Sequence, residues 1–209
     1  MTQSTPTSVF STAQAAMQHQ NWQAFFACLD RAELLSIAAN SVNVLLNRSE
    51  QTRSIVMNRS MEYAIPQEHM LKLQELSQQM YRSAHAIPEE VTTNAAASTS
   101  PGLILQTAFQ HRQIVDAYNQ TLKALLRSTP DLAELTAALE QDMRAALGGG
   151  SVSSHLFVDE QLENLVIEGN RAWATRRMEN GWEEDVGFMQ RKGVWYIKLS
   201  AKRPKRLQT

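Results

Sequence analysis

Five histidines, one cysteine and a group of large aromatic side chains are the residues of this chain with the most chemistry to offer. The histidines are His19, His69, His85, His111 and His155. No two of them stand at metal-ligand spacing, and there is no His-Glu-x-x-His. His69 follows Glu68, and His111 comes one turn before Val115-Asp116. If His111 or Asp116 faced inward from a helix, either could act as a base, because burial raises a carboxylate pKa toward useful values. The competing reading of each is a surface or capping group. Cys28 lies in the apolar run Phe25-Phe26-Ala27-Cys28-Leu29, which predicts a buried, inert thiol. A reactive thiolate needs a base and electropositive surroundings, and none is visible nearby. One cysteine cannot build the usual zinc site. Gly148-Gly149-Gly150 lacks the Lys-Ser/Thr of a phosphate loop and follows a helical pattern where such a loop follows a strand. There is no Gly-x-Ser-x-Gly elbow, dinucleotide fingerprint or calcium loop. Neither a metal nor a cofactor is expected.

The aromatic residues suggest a pocket between helices and sheet. Its candidate lining is Trp22, Phe26, Phe109, His111, Tyr118, Trp173, Trp195 and Tyr196, and the competing reading is a filled core. The charged residues suggest a second feature. The chain carries 20 Lys and Arg against 21 Asp and Glu, but its last twelve residues hold five cations and no anion. Residues 1–197 therefore carry 15 basic against 21 acidic side chains. Lys202, Arg203, Lys205 and Arg206 are the candidate contacts for an anionic partner. Pro204 keeps this tail from being a helix. No aromatic residue is interleaved with these charges, so nucleic acid is not an expected partner.

These residues must be positioned by two kinds of structure. Of eight glycines only Gly102 precedes residue 148, so the punctuation changes there. Before it, Ala, Leu, Gln and Met favour helices. Ser11 or Thr12 is the expected cap of a first helix, Asn21 of a second carrying Trp22, Phe25 and Phe26, and Asp30 of a third. A further segment of this helical part covers residues 53–64. Pro66 opens a helix with Met70, Leu73 and Leu76 on one stripe. Residues 86–102 read as a long loop. Helices over 103–127 and from Leu132 to Leu147 follow. After residue 150, Val, Ile and aromatic residues alternate. Turns are expected at Glu168-Gly169-Asn170, Glu179-Asn180-Gly181 and Arg191-Lys192-Gly193. The reading is an α+β fold, with a helix-rich N-terminal part packed on a C-terminal four-stranded antiparallel β-meander. Residues 1–150 form the helical part, 151–200 the meander of the same domain, and 201–209 a basic tail. Trp195, Ile197 and Leu199 are expected on one face. Arg176 and Arg177 are expected to pair with Glu183 to Asp185 on a solvated face.

Two stretches resemble a known family. Val166-Ile167-Glu168-Gly169-Asn170-Arg171-Ala172, followed by Phe188 to Ile197 with Arg191-Lys192-Gly193-Val194-Trp195-Tyr196, resembles the closing strands of the steroid-isomerase and nuclear-transport-factor-two-like superfamily. Ala15 to Asp30 is similar to its opening pair of helices. The resemblance covers about a third of the chain. It implies a curved sheet wrapped on helices around an apolar cavity. It carries over no catalytic residue.

The expected role is non-catalytic: binding of a small apolar ligand or a protein partner in a sheet–helix cavity. The alternatives are a small cone-type isomerase, dehydratase or hydrolase, and a regulatory protein that contacts an anionic surface through its tail. A homodimer is a further expected partner, since a meander leaves edges. No run of about 18 apolar residues is present, so no membrane span is expected. The first twelve residues lack a charged and apolar leader pattern, so the expected location is cytoplasmic.

Overall fold

The computed structural model describes residues 3–85, 101–202 and 204. Arg203, Lys205 and Arg206 of the basic tail and most of the 86–102 loop lie outside the described residues. Among the described residues seven helices precede a four-stranded antiparallel sheet, so the fold is α+β. The chain divides into two compact units: residues 1–41 with 131–209, and residues 42–130.

The first unit holds helices α1 (Pro6–Gln18), α2 (Trp22–Phe26) and α7 (Leu132–Leu147), the start of α3 (Arg31–Arg48), and the whole sheet. Helix α1 begins earlier than Ser11. Thr5 is its cap, its side chain accepting from the Ser8 backbone while Ser8 reciprocates, and Pro6 occupies the first turn. Asn21 caps α2, as its sequence suggests, by accepting from the Ala24 backbone. Strands β1 (Gln161–Glu168), β2 (Arg171–Arg177), β3 (Glu183–Arg191) and β4 (Val194–Lys198) pair in sequential order. Gly181 and the pair Lys192-Gly193 sit at positive φ, and two consecutive positive φ values are what a tight hairpin requires. A bulge at Asn164 interrupts β1, the first strand of the sheet order. The other edge is covered. Leu29 forms a parallel bridge to Ile197, and the Gln3 carbonyl accepts from the Trp195 backbone.

One face of the sheet is core. Ala172, Ala174, Val186, Phe188, Trp195 and Ile197 are buried on it. Arg176 shares this face and lies over the Phe157 ring, which packs on Phe10 of α1 and Phe25 of α2. Arg176 therefore does not lie on a solvated face. It is 8% exposed and pairs with buried Glu160 at 2.9 Å as well as with Glu184, its cross-strand neighbour. Arg177, on the opposite face, does pair in the open, with Glu183 and Glu163.

The triple glycine closes α7 and then does a second job. Gly148 takes the left-handed conformation that ends the helix. Gly150 lies so close to Glu140 that a Cβ would come within 1.8 Å of its carboxylate. This lets the Ser151 N–H donate to Glu140 at 2.8 Å. Glu140 is fully buried and also accepts from Arg144 at 2.6 Å, whose guanidinium covers the Trp22 ring. A buried charge is tolerated only when paired and hydrogen-bonded in this way.

The second unit comprises the end of α3, α4 (Glu50–Glu62), α5 (Gln67–His85) and α6 (Pro101–Ser128). Ser49 caps α4 through a box with Thr52. Pro101 and Gly102, assigned to the loop from sequence, belong to α6. Leu45, Leu46, Val56, Met70, Leu73, Leu122 and Leu126 are among the buried apolar residues of this unit.

Candidate ligand site on the second face of the sheet

The register of the hairpins assembles the site. Strand residues alternate between faces, and neighbours across the ladder share one. Arg171, Met189 and Tyr196 form one cross-strand row on the face opposite the core, and Trp173, Gly187 and Lys198 form the next. Further along this face Thr175 stands beside Asp185, and Arg177 beside Glu183. Nothing from helices α1 or α2 is needed to make these rows: the two turns that join β2, β3 and β4 and a period of two suffice.

The chain then leaves the sheet and crosses this same face. Leu199 and Ser200 form a turn beyond the last strand residue, so Leu199 does not continue the Trp195–Ile197 row. It lines a cavity on the opposite face instead. Two anchors hold this strap. The Ser200 hydroxyl and backbone N–H both donate to the buried carboxylate of Glu33. Ala201 sits over Gly187, where a Cβ would lie 2.3 Å from the Ala201 methyl carbon. Gly187 is thus needed for close approach.

The strap divides the face into two cavities. One, of about 620 Å³, lies over Thr175 and is lined by Glu183, Glu184, Asp185, Ser200 and Lys202. The other, of about 280 Å³, has Trp173 and Met189 on its floor and Arg171, Lys198 and Lys202 around it. Their electrostatics differ. In the first, Glu183 is paired with Arg177 and Glu184 with Arg176. In the second, the cations form no ion pair among the described residues, and no carboxylate is in the lining. A third cavity, of about 470 Å³, lies beside His155, Asp159 and the β2–β3 turn.

The eight aromatic-pocket candidates are shared between the two units, five in the first and three in the second. Trp22, Phe26 and Trp195 are buried in the first unit and line none of these three cavities. Trp22 and Phe26 each pack edge-to-face with Phe25. Trp173 and Tyr196 lie on the second face, and Trp173 lines the smaller cavity. Phe109, His111 and Tyr118 belong to the second unit. Phe109 is 62% exposed, which no pocket-lining role predicts. His111 Nδ1 lies 2.8 Å from the Ser83 hydroxyl, and Tyr118 donates to Asn43 at 3.2 Å. Burial pushes the Tyr118 phenol up to about 12. Asp116 is exposed, so it lacks the burial that its reading as a base requires.

Cys28 is buried, and desolvation pushes its thiol up to about 12, which leaves it protonated and unreactive at neutral pH. Among the described residues no three His, Cys, Asp or Glu side chains gather to hold a metal ion, and no helix is long and apolar enough to cross a membrane. Arg171, Lys198 and Met189 do not stand out in the sequence by type or spacing. Their signal is present in the hairpin turns, which fix the register and hence the face. In comparisons with known proteins, no family model, no curated protein and no solved structure matches the chain.

Proposed function

We propose that this is a non-catalytic binding protein that seats a small ligand or a partner segment against the second face of its sheet. The observation that carries the reading is the strap. Residues 199–202 are held down by Glu33 and by the gap at Gly187, and they wall a cavity floored by Trp173. A concave site with an apolar floor and a few convergent polar groups is the default form of a binding site. The resemblance to the steroid-isomerase and nuclear-transport-factor-two-like superfamily is kept as a proposal alongside it, as is a homodimer. A cone-type enzyme is the alternative, and it needs an inward base at an open cavity. The smaller cavity on the second face offers cations and an apolar floor instead.

A thermal-shift panel of small apolar, amphipathic and charged metabolites tests the reading, followed by amide chemical-shift mapping of any hit. The expected result is a hit whose shifts cluster at 171–173, 187–189 and 198–202. A panel with no hit, or hits mapping only to other surfaces, overturns it.

A further inference from the structure

We infer that the smaller cavity takes a small anionic molecule with a flat apolar body, such as an aromatic carboxylate or phosphate ester. This rests on the binding reading above and adds the ligand class. Three observations carry it.

The first is charge. Arg171, Lys198 and Lys202 converge on one cavity from β2, the end of β4 and the strap, and none forms an ion pair among the described residues. Glu168 is the cross-strand neighbour of Arg171 but does not line the cavity. Elsewhere on the sheet the cations are already matched: Arg176 by Glu160 and Glu184, Arg177 by Glu163 and Glu183, and Arg191 by Asp30 at 2.7 Å. Among the described strand residues the unmatched cations, Arg171 and Lys198, thus lie at one place. A planar guanidinium suits two-pronged contact with a carboxylate or phosphate, and the lysines add point charge.

The second is the floor. Trp173 is 9% exposed, so its ring is held in place by the fold rather than ordered by a ligand. Met189 beside it supplies an adaptable thioether. Together they favour a flat apolar body lying under the anionic group. The third is size. At about 280 Å³ the cavity is just below the usual range for drug-sized ligands, roughly 300–1,000 Å³, which suits a small molecule. The neighbouring cavity shares Lys202 but is lined by three acidic side chains, Glu183, Glu184 and Asp185, so its lining favours an anion less.

Calorimetric titration of the full chain with benzoate, phenyl phosphate, benzamide and inorganic phosphate tests the inference. Benzoate or phenyl phosphate should bind at least tenfold more tightly than both benzamide and inorganic phosphate, and more weakly as salt rises. The difference between the first two identifies the anionic group. Arg171→Gln with Lys198→Gln should weaken binding at least tenfold without lowering Tm. Lys202→Gln, on the strap, provides a second variant if that pair folds poorly. Benzamide binding as tightly as benzoate would overturn the anion requirement and leave the binding reading standing. Inorganic phosphate binding as tightly as phenyl phosphate would overturn the apolar body. Failure of all four probes, with other panel members mapping to this face, would overturn the ligand class alone. Failure of every panel member there would overturn both.

Discussion

Gly150 shows how much a single backbone position decides. It is not at positive φ, so its side chain is missing for reasons of space: Glu140 occupies the place of a Cβ. Glu140 cannot swing aside cheaply, because it is buried and held by Arg144 and by the Ser151 N–H. Its neighbour Gly149 has open space where a Cβ would stand, with nothing within 4 Å, and no positive φ. Gly150→Ala should therefore lower unfolding free energy by about 1–3 kcal/mol, the range for overpacking a filled site. Gly149→Ala should change it by no more than about 0.5 kcal/mol, as at an ordinary surface position. Urea denaturation of the two variants reads the contrast directly. Equal effects would mean that the glycine run serves only to end the helix.

At the scale of elements, the strap and the sheet depend on each other through one atom pair. Gly187→Ala places a methyl 2.3 Å from that of Ala201. Neither atom is on a flexible side chain, so strand or strap must move, at a cost of about 1–3 kcal/mol for overpacking. Ala201→Gly removes the opposing methyl. The double variant should recover at least half of the loss in Tm, which is the coupling expected of residues in direct contact. If the double variant is no better than Gly187→Ala, the strap is not seated on the strand. What was legible in the sequence at this scale was local. Asn180-Gly181 and Lys192-Gly193 announce their turns because left-handed backbone restricts residue choice, and the turns fix the register that puts Arg171, Trp173, Met189 and Lys198 on one face. What was not legible was long-range or competitive. Ser200 finds Glu33 across 167 positions, which no periodicity encodes. Ser11 and Thr12 are plausible caps, but Thr5 with Pro6 offers both a reciprocal box and a preset φ, and so starts α1 a turn or more earlier. Phe109 looks like a pocket residue by size and stripe, yet it is exposed.

For the whole molecule, two groups buried in different units set how stability responds to alkali. Cys28 belongs to the first unit and Tyr118 to the second, and burial raises each to about 12 from ordinary values of 9.0 and 10.0. The unfolded chain loses the thiol proton near pH 9 and the phenol proton near pH 10, while the folded chain holds both until about pH 12. Between those limits the unfolded state binds fewer protons, so stability falls as pH rises. Each group contributes a slope of up to about 1.4 kcal/mol per pH unit. The substitutions separate the two contributions: all four tryptophans, at positions 22, 173, 182 and 195, lie in the first unit and report on it, while circular dichroism reads the helices of both units. Tryptophan fluorescence during urea unfolding should show a midpoint that falls above pH 9, and Cys28→Ala should flatten that fall between pH 9 and 10. Far-ultraviolet circular dichroism should show a second decline above pH 10, which Tyr118→Phe should flatten. A Cys28→Ala profile with the wild-type slope would mean that the thiol already meets water in the folded protein. Its slow reaction with iodoacetamide at pH 8, compared with the urea-unfolded chain, provides the independent check on the same burial.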